Sequence, residues 1–215
     1  MAQPKTIVNP ETQAQTSARM FKSDWLEALS KVHPVTPLII YTPLIIFYLY
    51  QALISYRLGV AQTLLFFILG VFIWSLTEYI LHRFLFHHEF KSKLGRRFHF
   101  IMHGVHHDYP KDALRLVMPP SISLPLAVLF YYLFKVIIGA QYVIAFFPGF
   151  VAGYLFYDMT HFAIHHFNFN NKYWKAIKTH HMKHHYQDPD NGFGVSSVLW
   201  DYIFNTYKFR KKQKK

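Results

Sequence analysis

Fourteen of the chain's fifteen histidines fall between residues 82 and 185, gathered in the short runs LHRFLFHH, HGVHH, THFAIHH and HHMKHH. Imidazole is both an acid–base group near neutral pH and a common nitrogen ligand for Zn, Cu, Fe and Ni. Cysteine is absent, so a metal in this chain would take nitrogen or oxygen ligands. Spacing selects ten of the histidines. His161 and His165 are four apart and share a face on a helix. His103, His106 and His107 combine offsets of three and four, and His181, His184 and His185 repeat them. His82 and His87 are five apart, which requires the helix carrying them to unwind or bulge. A lone histidine on an apolar face is usually a packing residue, but four clusters at ligand spacing point to a metal site. Ten imidazoles exceed the four to six ligands of one ion, so two ions completed by water or hydroxide fit the count. The spacing does not say which histidine binds which ion. Nor does ligand type choose the metal, although an oxidation would exclude zinc, which has no redox states.

Neutral ligands leave such a centre strongly positive, so nearby carboxylates matter. Glu78 lies one helical turn before His82, and Asp158 lies three residues before His161, both near the ends of apolar stretches where an ionised side chain is costly. Both are expected to orient or balance ligand histidines, with Asp201 a weaker candidate. His33, His88, His99, His166 and His180 lie off the repeated spacing and are expected in supporting or surface positions.

The elements that must carry these residues are apolar helices. Hydrophobic residues make up 52% of the 215-residue chain, aromatics 19% and charged residues 16%. Four apolar stretches stand out, at Pro37–Tyr56, Val60–Leu81, Ser121–Ile138 and Gln141–Tyr157. At ~1.5 Å per residue each can cross a hydrocarbon core of ~30 Å. Very short links at Arg57–Gly59 and Gly139–Ala140 make them two hairpins. The expected fold is an all-α integral membrane protein with four transmembrane helices. Short cytoplasmic helices at Phe90–His107 and Tyr173–Tyr186 would cap it and hold the dinuclear site. Residues 1–36 are expected to be a polar tail with an interfacial helix at Arg19–Val32, and residues 37–215 the membrane domain. No secretory signal is visible in the first thirty residues.

The net charge of +12 sits beside apolar runs, so it reads as a topology signal rather than a nucleic-acid surface. Seven Lys or Arg lie between Arg83 and Arg115 and ten between Lys172 and Lys215, whereas the hairpin tips offer only Arg57 and Lys135. By the positive-inside rule the histidine segments and both termini are cytoplasmic. The second and fourth spans leave the bilayer on the same face, so all four clusters can meet.

The stretches FIMHGVHHDYPKDALRLVMPP, YDMTHFAIHH and HHMKHHYQDPDNGFGVSSVLWDYIF resemble the fatty acid hydroxylase family within the sterol-desaturase-like superfamily, most closely its sphingolipid fatty acid 2-hydroxylases. The resemblance covers about residues 70–207, and its RLVMPP and GFGVSS segments point to the 2-hydroxylase branch. It implies ligands at His82, His87, His103, His106, His107, His161, His165, His181, His184 and His185. It also implies two Fe ions, O2 as co-substrate and insertion of one oxygen atom at C2 of a long acyl chain in a ceramide-like lipid or free fatty acid. Zinc can displace ferrous iron from nitrogen sites during isolation. Residues 1–36 are too short for the cytochrome b5-like domain of fungal and animal members, so a separate donor of cytochrome b5 or ferredoxin type is expected. The implied location is the endoplasmic reticulum in a eukaryote or the inner membrane in a bacterium. Phe84, Phe86 and Tyr157 are candidates for the acyl channel wall, while Gly192 and Gly194 could let the backbone pass close to metal or substrate. The alternatives are a sterol or carotenoid oxygenase of the same superfamily and a non-catalytic metal-binding membrane protein.

Overall fold

The structure is a computed structural model that describes residue 17 and residues 19–210; most of the expected polar tail and the basic end at 211–215 lie outside the described residues. Its helices are α1 (Asp24–Leu29), α2 (Thr36–Tyr50), α3 (Val60–Leu81), α4 (Lys93–His99), α5 (Val105–Asp108), α6 (Pro120–Ile138), α7 (Ala140–His166), α8 (Lys172–Tyr186) and α9 (Leu199–Ile203). There is no β-strand among the described residues. Five-residue π-helical turns continue α2 (Gln51–Ser55), continue α3 (His82–Phe86) and join α4 to α5 (Phe100–Gly104).

Among the described residues four helices are long and apolar enough to cross a membrane: Thr36–Ser55, Val60–Phe86, Pro120–Ile138 and Ala140–His166. The chain is a multi-pass membrane protein. The hairpin links are as short as expected, with Arg57 and Gly139 taking positive φ at the two tips. The fourth helix runs beyond its apolar stretch. Hydropathy falls after Tyr157 because Asp158, His161 and His165 are polar, yet the helix continues to His166. It can do so because most of α7 is buried inside the protein, with Asp158 and His161 of its polar end among the buried residues, whereas α6 is largely exposed. The other spans turn Ile39, Ile46, Leu64, Ile68, Leu129 and Val136 outward. In hydrocarbon these side chains need no partner, and the backbone polar groups are satisfied within each helix.

Helix α7 is the axis of the bundle, and its most extensive partner is α3. Two glycines set how closely they approach. A Cβ at Gly149 would lie 2.0 Å from the Phe67 carbonyl oxygen, and one at Gly70 would lie 2.1 Å from that of Phe146. Only hydrogen fits at either position, so the two backbones touch, as small residues allow in membrane helix pairs. Around this contact Trp74 meets Phe150 and Tyr154 edge-on at centroid distances of 5.1 and 5.3 Å. This rigid pair brings the histidine-bearing ends of α3 and α7 together.

The capping layer is less regular than expected. Helix α1 is shorter than Arg19–Val32, and Phe90–His107 is broken by its π turn. Glu27 of α1 accepts from the backbone N–H groups of Met20 (2.9 Å) and Phe21 (3.1 Å) and pairs with Arg115, which also donates to Ser30 Oγ at 2.7 Å. The N-terminal segment is thereby tied to the loop that precedes α6. Residues 187–198 fold back as irregular chain between α8 and α9.

Candidate metal centre

The ten spacing-selected histidines meet, and they separate into two groups of five. One contains His82, His87, His103, His107 and His184; the other contains His106, His161, His165, His181 and His185. Within each group, one ring nitrogen per residue lies within 4.8 Å of all the others. Six of the ten residues are buried and four are partly buried.

Helical geometry explains the partition. At ~3.6 residues per turn, positions i and i+4 nearly eclipse, whereas i+3 falls on the other side of i and ~100° from i+4. Accordingly the four-apart pairs 103/107, 161/165 and 181/185 each stay within one group, while His106 and His184 cross to the opposite one. His82 and His87 share a group because the π turn between them supplies the wider spacing, as their five-residue offset requires. The groups share a wall where His107 and His185 stack with centroids 4.1 Å apart.

The nitrogen geometry fits an ion better than a hydrogen-bond network. His181 Nε2 lies 3.0 Å from His161 Nε2, 2.9 Å from His165 Nε2 and 3.0 Å from His185 Nε2. A neutral imidazole nitrogen either carries one proton or offers one lone pair, so it cannot serve three such partners. In the other group His103 Nε2 is 3.1 Å from His82 Nε2 and 3.0 Å from His107 Nε2, and His184 Nε2 is 3.0 Å from His87 Nε2. Adjacent ligands at ~2.1 Å from one ion stand roughly 3 Å apart, which these separations match. Stability is a poor explanation for the cluster, since each buried polar group without a partner costs ~1–3 kcal/mol.

The electrostatics favour the ligating form. Burial, reinforced by neighbouring histidines, holds His87 at about 2 and His107 at about 3. Burial likewise holds His184 at about 4 and drives His103, His106 and His181 well below the ordinary histidine value. These rings are neutral at physiological pH, as metal coordination requires. His82 and His184 also show which nitrogen is free. His82 Nδ1 donates to the Phe193 carbonyl and His184 Nδ1 to that of Asn191 at 2.8 Å. A carbonyl only accepts, so the proton sits on Nδ1 and the Nε2 lone pair faces the group.

The carboxylates are placed differently from the histidines they neighbour in sequence. Among the described residues, neither Glu78 nor Asp158 has a histidine as a hydrogen-bond partner. Glu78 Oε1 accepts from the N–H of Val195 (2.7 Å) and Ser196 (2.8 Å), and its other oxygen takes the Ser196 hydroxyl. Asp158 accepts from the Tyr154 hydroxyl at 2.9 Å. Asp201 has more contacts than its modest sequence signal indicated. It receives Phe193 N (2.9 Å), Gly194 N (2.8 Å), Thr206 Oγ1 (2.7 Å) and His180 Nε2 (3.0 Å). The two glycines are also close to protein groups: a Cβ at Gly194 would strike the Ser197 carbonyl and Asp201, and one at Gly192 would strike the Phe209 ring. Their close approaches are to the protein.

A cavity of about 340 Å³ opens beside the histidines, lined by His103, His106, His161, Asp158, Phe86 and Tyr157 together with apolar residues of α1 and the start of α6. Phe84 is not part of it; the side chain is 60% exposed and carries Arg83 over its ring.

Comparison with known proteins agrees with this arrangement. The fatty acid hydroxylase family matches residues 67–206, a segment that contains every histidine of both groups. The chain belongs to the fatty acid hydroxylase family. It is 35% identical to a dihydroceramide fatty acyl 2-hydroxylase of Arabidopsis thaliana, over 92% of this chain and 83% of that protein. It is 37% identical to the fatty acid 2-hydroxylase of Homo sapiens, over 87% of this chain but 56% of that protein. A solved structure, full-length Scs7p with only its hydroxylase domain visible, superposes with a TM-score of 0.81 at 36% identity, covering 86% of this chain and 70% of that one. Relative to the human protein, this hydroxylase-family chain spans about half the length.

Proposed function

We propose that this chain is a membrane fatty acid 2-hydroxylase, inserting one oxygen atom from O2 at C2 of a long acyl chain carried by a ceramide-like lipid or a free fatty acid. The observation that carries the reading is the pair of five-histidine groups at the wall of an apolar cavity that begins where the membrane helices end. All ten histidines act as ligands, five to each ion. When bound, a pair of iron ions would supply the redox chemistry by which a C–H bond, O2, two electrons and two protons become one C–OH and one water. The electrons come from a separate donor of cytochrome b5 or ferredoxin type. The histidine face and both termini lie on the cytoplasmic side, as the charge distribution favours.

The chain's own residues select the carbon. The acyl chain enters with its carbonyl end at the histidines and its tail among apolar side chains. Met118 lines both this cavity and a narrow apolar slot bounded by Tyr41, Trp74, Phe130 and Phe150, which receives the tail. Tyr157 and Phe86 hold the first carbons in place and exclude water from the reacting position. Asp158, buried on the cavity wall a turn before His161, balances the charge of that group.

The test is mass spectrometry of acyl lipids from a host lacking its own 2-hydroxylase and supplied with a working electron donor. The unaltered chain should produce 2-hydroxyacyl lipids, and His106→Ala should reduce them to background. Iron-loaded, well-expressed protein that yields none would overturn the C2 assignment and turn attention to sterol and carotenoid substrates.

A further inference from the structure

The two histidine groups differ in how their rings are held from behind. In the group containing His82 and His184, both of these residues donate Nδ1–H to backbone carbonyls of one short loop, residues 191–196 (NGFGVS). In the other group, His181 Nδ1 and His185 Nδ1 are buried without a hydrogen-bond partner among the described residues. Only one group is therefore braced by this loop.

The loop has no regular structure to hold it, and two buried carboxylates do so instead. Asp201 takes the N–H groups of Phe193 and Gly194 on one side, while Glu78 takes those of Val195 and Ser196 on the other. Four consecutive backbone donors are thus gripped by two acids from helices far apart in sequence, α3 and α9. Gly192 adds a fifth contact, donating to the Thr206 carbonyl at 2.9 Å. The residue gripped through its N–H, Phe193, is the one whose carbonyl receives His82. Glu78 is 4% exposed and Asp201 0% exposed, so removing their charge leaves backbone donors with weakened partners in a site that water does not reach.

We infer that Glu78 and Asp201 are positioning residues for one metal-binding group alone, that of His82, His87, His103, His107 and His184, acting through the loop they clamp. This rests on the reading that each group holds an ion. Partners of this outer kind typically change metal affinity by ~10–100-fold.

The test is an anaerobic Fe2+ titration of the full chain in detergent, with bound metal counted by elemental analysis and Co2+ absorption bands recorded in parallel. The unaltered chain should hold two ions, and His82→Ala and His165→Ala should each weaken a different one. Glu78→Gln and Asp201→Asn should weaken by ~10–100-fold the ion that His82→Ala weakens and leave the other affinity and its Co2+ bands unchanged. Ser196→Ala, which removes only the hydroxyl contact to Glu78, should shift the same ion in the same direction by less. Combining Glu78→Gln with His82→Ala should add little, whereas combining it with His165→Ala should weaken both ions. A Glu27→Gln control, which disturbs a buried ion pair elsewhere, should lower thermal stability and leave both affinities alone. Two ions weakened equally, or neither weakened, by the carboxylate variants would overturn the inference while the two-ion reading stands. An unaltered chain that binds fewer than two ions would overturn that reading, and the inference with it.

Discussion

His106 and His107 are neighbours in sequence, yet their rings belong to different groups. The contrast yields a test at the scale of single residues. His106 shares its group with His165, so the double variant His106→Ala/His165→Ala should keep one tightly held ion. His106→Ala/His107→Ala damages both groups and should keep none. Metal counting after anaerobic dialysis separates the two outcomes, and equal retention by the two variants would contradict the partition. That these ten histidines would gather was legible in the sequence because ligand spacing is a local property. Their division was not read, because it depends on how four histidine-bearing segments are rotated about a common centre. The loop carbonyls that hold His82 and His184 were hidden for another reason: they lie 111 and 7 residues away and are backbone groups, which carry no side-chain signature. Asp201 was only weakly visible, since nothing local shows that its carboxylate collects four donors.

At the scale of elements, the five-residue offset of His82 and His87 foretold the π turn at His82–Phe86, because no α-helical turn would bring both rings to one point. The end of α7 lies beyond its apolar stretch, and it was the helical spacing of His161 and His165, not hydropathy, that indicated it, because hydropathy measures affinity for lipid and this helix is surrounded by protein. What hydropathy cannot show at all is how closely α3 and α7 approach, a distance that fixes the relation between His82 and His161. Gly149 lies against the Phe67 backbone, which cannot rotate away as a side chain would. Gly149→Ala should therefore cost about 1–3 kcal/mol of stability by overpacking. It should also lower metal retention, because the histidine-bearing ends of the two helices move apart. Gly59→Ala, where an added Cβ meets nothing within 4 Å, should be neutral or slightly stabilising. Thermal unfolding in a single detergent compares the two, and matching midpoints would mean that the bundle absorbs the extra methyl.

The whole molecule is a bundle in lipid under a polar cap, and the cavity lies at their junction. Residues of α1 and Arg115 line the cavity, and Arg115 pairs with Glu27 of α1, so loosening that pair is expected to open the cavity on this side. Burial by itself would raise the Glu27 pKa, but the N–H groups of Phe21 and Met20 and the charge of Arg115 outweigh it and hold the carboxyl at about 2, against an ordinary 4.5. A carboxylate held below its unfolded value contributes stability that is fully present above about 4.5 and is lost as pH falls towards about 2. The melting-temperature difference between the unaltered chain and Glu27→Gln should therefore be constant from neutral pH to ~5 and shrink progressively below that. A general acid-induced loss, arising from the other carboxylates, would lower both curves together and leave the difference intact. Only closure of the gap within that window assigns it to the cap, and it should coincide with easier access of a fluorescent fatty acid to the cavity. If the gap persists at pH ~3, Glu27 does not hold this side in place, and the closure of the cavity must come from the apolar contacts of Met20, Phe21, Leu26 and Leu29 alone.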